Sequence, residues 1–134
     1  MSLTKVSIIT VVYNNVEYIK NAIQSVLSQD YLNIEYIIID GNSNDGTISA
    51  IKEFEDQIDY FFSSSDKGIY DALNKGIEIS TGEIIGILHS DDLFIDTKVV
   101  SEMVSKLQSE DAEFIFSDLI IVHPETKKII RYYM

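Results

Sequence analysis

Hydrophobic residues in this chain fall into short, nearly continuous blocks separated by stretches with an apolar residue every three or four positions. Val6 to Val12, Tyr36 to Ile39 and Ile84 to Leu88 are almost wholly apolar. Such blocks predict strands covered on both faces, as in a parallel sheet. Asp59 to Phe62 reads as a shorter strand. Between the blocks, Val16, Ile19, Ile23, Val26 and Leu27, then Ile48, Ile51 and Phe54, then Ile69, Leu73 and Ile77, recur at helical spacing. A fourth helix carries Val99, Val100, Met103, Val104 and Leu107 on its inner face. Asn14 with Glu17 reads as a capping box, Thr47 as the cap of the second helix, and Ile95 with Val100 as a hydrophobic staple around Asp96. Four alternating strand–helix units predict an α/β domain with a mainly parallel sheet and helices on both faces. Phe114 to Val122 and Lys128 to Tyr133, separated by a turn containing Pro124, predict a C-terminal strand hairpin. No repeat, low-complexity tract or linker interrupts residues 1–134, which read as a single domain.

Three strand ends break abruptly into polar residues. They are Tyr13-Asn14, the loop Asp40 to Thr47, and His89-Ser90-Asp91-Asp92. Parallel strands point the same way, so these loops meet at the sheet edge where ligands of open α/β sheets bind. The adjacent carboxylates of Asp91 and Asp92 repel each other unless something positive sits between them, and a divalent cation is the usual answer. Locally, Asn14 is accounted for as a cap and Asp40 as a turn residue bonding its own backbone. Those local explanations leave the convergence of three polar turns unexplained.

Composition narrows the picture. The 134 residues are 46% hydrophobic, enough for a real core, and the net charge is -12 from 22 acidic and 10 basic residues. That balance argues against a nucleic-acid backbone as partner, which needs a basic stripe. It leaves room for a nucleotide whose phosphates are held by a metal and by backbone amides. There is no cysteine, hence no disulfide and no thiolate metal site, which fits a reducing compartment. No apolar stretch approaches the roughly 18 residues of a membrane span. A phospho-acceptor receiver, also acidic and α/β, needs an acidic pair after the first strand, where this chain has Tyr13-Asn14.

Taken in order, several segments resemble the family 2 glycosyltransferases: Val6 to Asn14, Ile23 to Gln29, Ile38 to Thr47, Asp66 to Ile77, and Thr81 to Ile85 leading to Ser90-Asp91-Asp92. The resemblance runs from about residue 5 to residue 120. It implies a Rossmann-like GT-A nucleotide-sugar-binding domain that moves a sugar from a nucleotide-diphosphate donor to an acceptor hydroxyl, with inversion and with Mg²⁺ or Mn²⁺. By that resemblance Thr10, Val12, Tyr13 and Asn14 cradle the donor base and ribose, and Asp40 accepts a hydrogen bond from the base. Asp71, Asn74 and Ser90 border the donor, and Lys67 or Lys75 supplies positive charge to the phosphates. Asp91 holds the ribose or the metal's water shell, and Asp92 ligates the metal. The implied donor is a UDP-sugar first and a GDP-sugar second, and the acceptor an unidentified glycan or lipid-linked molecule in polysaccharide or cell-envelope glycan synthesis. The expected location is the cytoplasm, up to the inner face of its membrane.

The chain departs from the family's pattern in places. His89 stands where an acid often precedes Asp91 by two places, Gly41 where a second acid often follows Asp40, and Leu73 where many relatives carry an arginine. The family's catalytic base is expected beyond Met134, so the chain reads as the donor-binding part of a larger fold. Asp118 is the only late candidate and reads better as a polar residue of the strand region. The alternative is a truncated, non-catalytic nucleotide-sugar-binding or assembly module. The apolar end at Ile129, Ile130, Tyr132 and Tyr133 is the expected contact of a homodimer.

Overall fold

A computed structural model describes residues 3–133. The chain divides into two compact units, one ending at Ser101 and the other beginning at Glu102. The first unit holds β1 (Val6–Val12), α1 (Ile19–Leu27), β2 (Ile34–Asp40), α2 (Thr47–Lys52), β3 (Tyr60–Ser63), α3 (Ile69–Ile79) and β4 (Ile84–Ile87). Helix α4 (Val99–Ser109) runs across the boundary, and the second unit ends in β5 (Leu119–Val122) and β6 (Ile129–Tyr133).

The four strands of the first unit form one sheet in the order β3-β2-β1-β4, all parallel. β1 and β2 are central, which is why the most continuous apolar blocks are theirs. Every residue of β1 is buried. Ile9, Val11, Ile37 and Ile39 share one face with Ala72 of α3, backed by Leu73 and Ile79. β5 and β6 pair antiparallel, with a register shift between Ile121 and Val122, and this hairpin is the second unit's only sheet among the described residues.

Several local expectations are corrected. The strand Ile84 to Leu88 is not covered on both faces: β4 is the edge strand, and Ile85 and Ile87 are exposed. Of Ile69, Leu73 and Ile77 on α3, Leu73 alone packs against the core. Ile69 and Ile77 are exposed, and the buried positions are Ala72 and Gly76. The cause is close approach to the sheet. A Cβ on Gly76 would stand 2.6 Å from Ile9 Cγ2, so glycine is required where the helix crosses Ile9.

The capping box of Asn14 does not form, because α1 starts later, after Tyr18. Asn14 takes φ 45° and its side chain accepts a hydrogen bond from Asn44 N instead. Thr47 lies inside α2 rather than capping it; the cap is Gly46, at φ 101°. Asp45 carries out the capping chemistry, accepting from the backbone and hydroxyl of Thr47. The staple around Asp96 fails as well, since Ile95 is 74% exposed. Gln29 ties that segment down, donating to Asp96 O and accepting from Val100 N.

Candidate functional site

The carboxyl ends of β1, β2 and β4 are adjacent, so their loops meet and bond one another. Asn14 N donates to Ser43 Oγ at 2.8 Å, and Asn15 N donates to Thr47 Oγ1 at 2.9 Å. The Asn15 side chain reaches Ser90 Oγ at 2.9 Å, joining the loop after β1 to the one after β4. Asn15 escaped the sequence reading, and the signal for it was weak: a second asparagine beside one already assigned.

Asp40 anchors this frame from below. It is fully buried and accepts from Ser43 N at 2.9 Å, from Ser43 Oγ, and from Ser63 Oγ at 2.7 Å. A buried carboxyl group left without such donors would carry a large desolvation cost. Asp40 thereby holds Ser43, which in turn holds the backbone at Asn14. Thr10 is equally buried, with its hydroxyl bonded to Tyr36 at 3.0 Å.

Above the frame lies an open cavity of about 370 Å³. Among the residues lining it are Val12, Tyr13, Asp66, His89, Ser90 and Asp91. The structure brings Val12, Tyr13, Ser90 and Asp91 together around this cavity. Thr10 in β1 and Asp40 at the end of β2 are buried and do not line the cavity. Asp71 turns toward its own helix end, accepting from Lys67 N at 2.9 Å and pairing with Lys75 at 3.5 Å, and this holds its carboxyl below the usual range despite partial desolvation. Lys67 and Asn74 are exposed. Asp66 is a lining residue that sequence reasoning missed, since its place in the cavity depends on β3 lying two strands away from β1.

Asp91 and Asp92 differ from every other acid of the frame. No side chain among the described residues donates a hydrogen bond to either carboxylate. Burial pushes the Asp92 carboxyl above its ordinary range and the charge of Asp91 pushes it further, while His89 works weakly the other way. A half-buried acid beside a second acid, with no donor, suits a hard divalent cation. No group of three or more potential ligands gathers among the described residues, so the protein would contribute at most these two carboxylates and leave other positions to substrate and water.

Comparison with known proteins decides the family. The profile of glycosyl transferase family 2 matches residues 7–134. The chain belongs to glycosyl transferase family 2. An uncharacterized glycosyltransferase of Mycobacterium tuberculosis is 36% identical over 110 residues, covering 81% of this chain and 42% of the relative. One from Haemophilus influenzae is 34% identical over 126 residues, covering 89% of this chain and 50% of its own length. The family 2 chain therefore spans about half or less of these relatives. Among solved structures, the mannosyltransferase PcManGT of Pyrobaculum calidifontis, in complex with GDP-Man and Mn²⁺, superposes with a TM-score of 0.74 at 24% identity, over 92% of this chain and 37% of that one. TarS of S. aureus, residues 1-349 with UDP-GlcNAc, gives 0.73 at 20% identity, over 80% and 32%. Both likenesses establish the GT-A glycosyltransferase fold.

Proposed function

We propose that this chain is the donor-binding portion of an inverting, metal-assisted glycosyltransferase that uses a UDP- or GDP-sugar. The observation that carries the reading is one cavity, walled by Asp91, beside an acid pair that no described side chain bonds at the carboxyl edge of the sheet. The exposed Tyr13 ring offers a stacking surface for a base, since aromatic faces accept any nucleobase. Asp91 lies on the cavity wall, where it would hold the ribose or the metal's water shell, and Asp92 beside it would ligate Mg²⁺ or Mn²⁺. That cation would neutralise charge developing on the departing diphosphate. In the transfer, the acceptor oxygen bonds the anomeric carbon as the bond from that carbon to the diphosphate breaks, and the electron pair leaves with the diphosphate. The base that takes the acceptor's proton is assigned to the part of the relatives' length that this chain does not span. The GDP-Man and UDP-GlcNAc complexes of the structural neighbours support the donor class.

Thermal melting tests the reading. UDP or GDP with Mn²⁺ should raise the melting temperature, because a ligand at a hundred times its Kd adds about 2.7 kcal/mol to a folded state that alone binds it. No shift with any nucleoside diphosphate at millimolar concentration would remove the donor assignment.

A further inference from the structure

Within the donor reading, we infer that the acid that selects the nucleobase is Asp66 rather than Asp40. Asp40 is fully buried, and its oxygens receive three donors from its own and a neighbouring strand end. It is absent from the cavity lining, where Asp66 is present beside Tyr13. Asp66 is half-buried. One of its oxygens, Oδ1, accepts from Gly68 N at 2.9 Å, which fixes the carboxylate in place. Its other oxygen lies against Gly41: a Cβ on that residue would stand 2.9 Å from Asp66 Oδ2 and 3.4 Å from Tyr13 Cδ2. Gly41 is therefore the space that lets a carboxylate from the loop after β3 approach the tyrosine that follows β1. Ring and carboxylate sit together, so a base stacked on Tyr13 would present its edge to an acceptor held by Gly68.

A carboxylate acceptor reads a specific chemistry. Uracil offers a ring N–H, and guanine offers a ring N–H and an adjacent amine, so both match it. Cytosine and adenine turn an unprotonated ring nitrogen to the same side, which repels it. A site built on such a hydrogen bond rejects bases that lack the donor more strongly than an apolar pocket could. Asp66 is thus a specificity-determining residue, and Asp40 a positioning residue that holds Ser43 and the loop carrying Tyr13.

The test is calorimetric titration of UDP, GDP, CDP and ADP into wild type and Asp66→Asn in the presence of Mn²⁺, with 3-methyl-UDP as a probe lacking the ring N–H. Wild type should bind UDP or GDP at least about tenfold more tightly than CDP and ADP. If UDP is the preferred ligand, 3-methyl-UDP should bind as poorly as CDP. Asp66→Asn, whose amide can both donate and accept, should reduce that preference to less than about threefold while melting within a degree or two of wild type. Gly41→Ala, which crowds Asp66 and Tyr13 without altering either, should weaken the preferred ligand in the same direction. Retention of the full preference by Asp66→Asn, with wild type binding normally, overturns the role of Asp66 alone. Failure of wild type to bind any of the diphosphates overturns the donor reading and this assignment with it.

Discussion

The two ends of the parallel sheet treat their acids in opposite ways. At the amino end, Glu35 of β2 lies between Ser7 of β1 and Thr81 ahead of β4. It accepts from Ser7 Oγ at 2.8 Å, from Thr81 N at 2.9 Å and from Thr81 Oγ1, and pairs with Lys5 at 3.0 Å. Burial alone would push its carboxyl up, but these donors together hold it at about 2. At the carboxyl end, Asp92 has no such donors, and burial and Asp91 push its carboxyl up instead. One acid is fully satisfied by the fold and the other is left in want of a positive partner. Polar groups that serve stability are paired within the protein, whereas groups held for a ligand stay strained until it arrives. Asp40 is instructive because it stands at the carboxyl end but is paired like Glu35, which marks it as part of the frame.

Substitutions should separate these three acids by size and sign. The largest effect is expected from Asp40→Ala, which strands the backbone and hydroxyl of Ser43 and the hydroxyl of Ser63 in a buried site. The loss should be about 3 kcal/mol, read as a shift in denaturant midpoint without change of slope. A loss below about 1 kcal/mol would mean that the frame does not depend on it.

Glu35→Gln should cost on the order of 1 kcal/mol at pH 7, allowing for solvent screening. Its folded carboxyl lies at about 2 against an ordinary 4.5, so the ionised group stabilises the fold above pH 4.5. That contribution fades as pH falls from 4.5 toward 2. The gap between wild type and Glu35→Gln should therefore close over that window, as urea titrations at pH 7 and pH 3 would reveal. Asp92→Asn should have the smallest effect and the opposite sign. Its carboxyl is raised, so the charged form burdens the folded state at neutral pH, and the amide should melt slightly higher than wild type when no ligand is present. A lower melting temperature for Asp92→Asn would place Asp92 among the structural acids.

Much of this arrangement was legible from residue pattern. β1, β2 and the polar turns follow from apolar blocks that end sharply, and parallel alternation alone puts those turns on one edge. What stayed hidden depends on contacts far apart in the chain. The inner face of α3 is set by the nearness of Ile9 to Gly76, so the large residues Ile69 and Ile77, which carry the apparent period, point outward. Ile85 and Ile87 look like a doubly covered strand because their hydrophobicity does not reveal that β4 is at the edge. Asp66 reads as an ordinary loop residue until β3 is placed next to β2, where Gly41 leaves it room. Glu35 resembles a lone charge in a strand until Ser7 and Thr81 are seen around it.

The claim that the acid pair at the carboxyl end exists to hold a cation is met most directly by electron paramagnetic resonance of Mn²⁺. In a titration with UDP present, the free Mn²⁺ signal should fall on adding wild-type protein below what UDP alone achieves, and Asp92→Asn should return it to the level with UDP alone. An equal loss of signal with Asp92→Asn, or none with wild type, would contradict the assignment of Asp92 as the metal ligand.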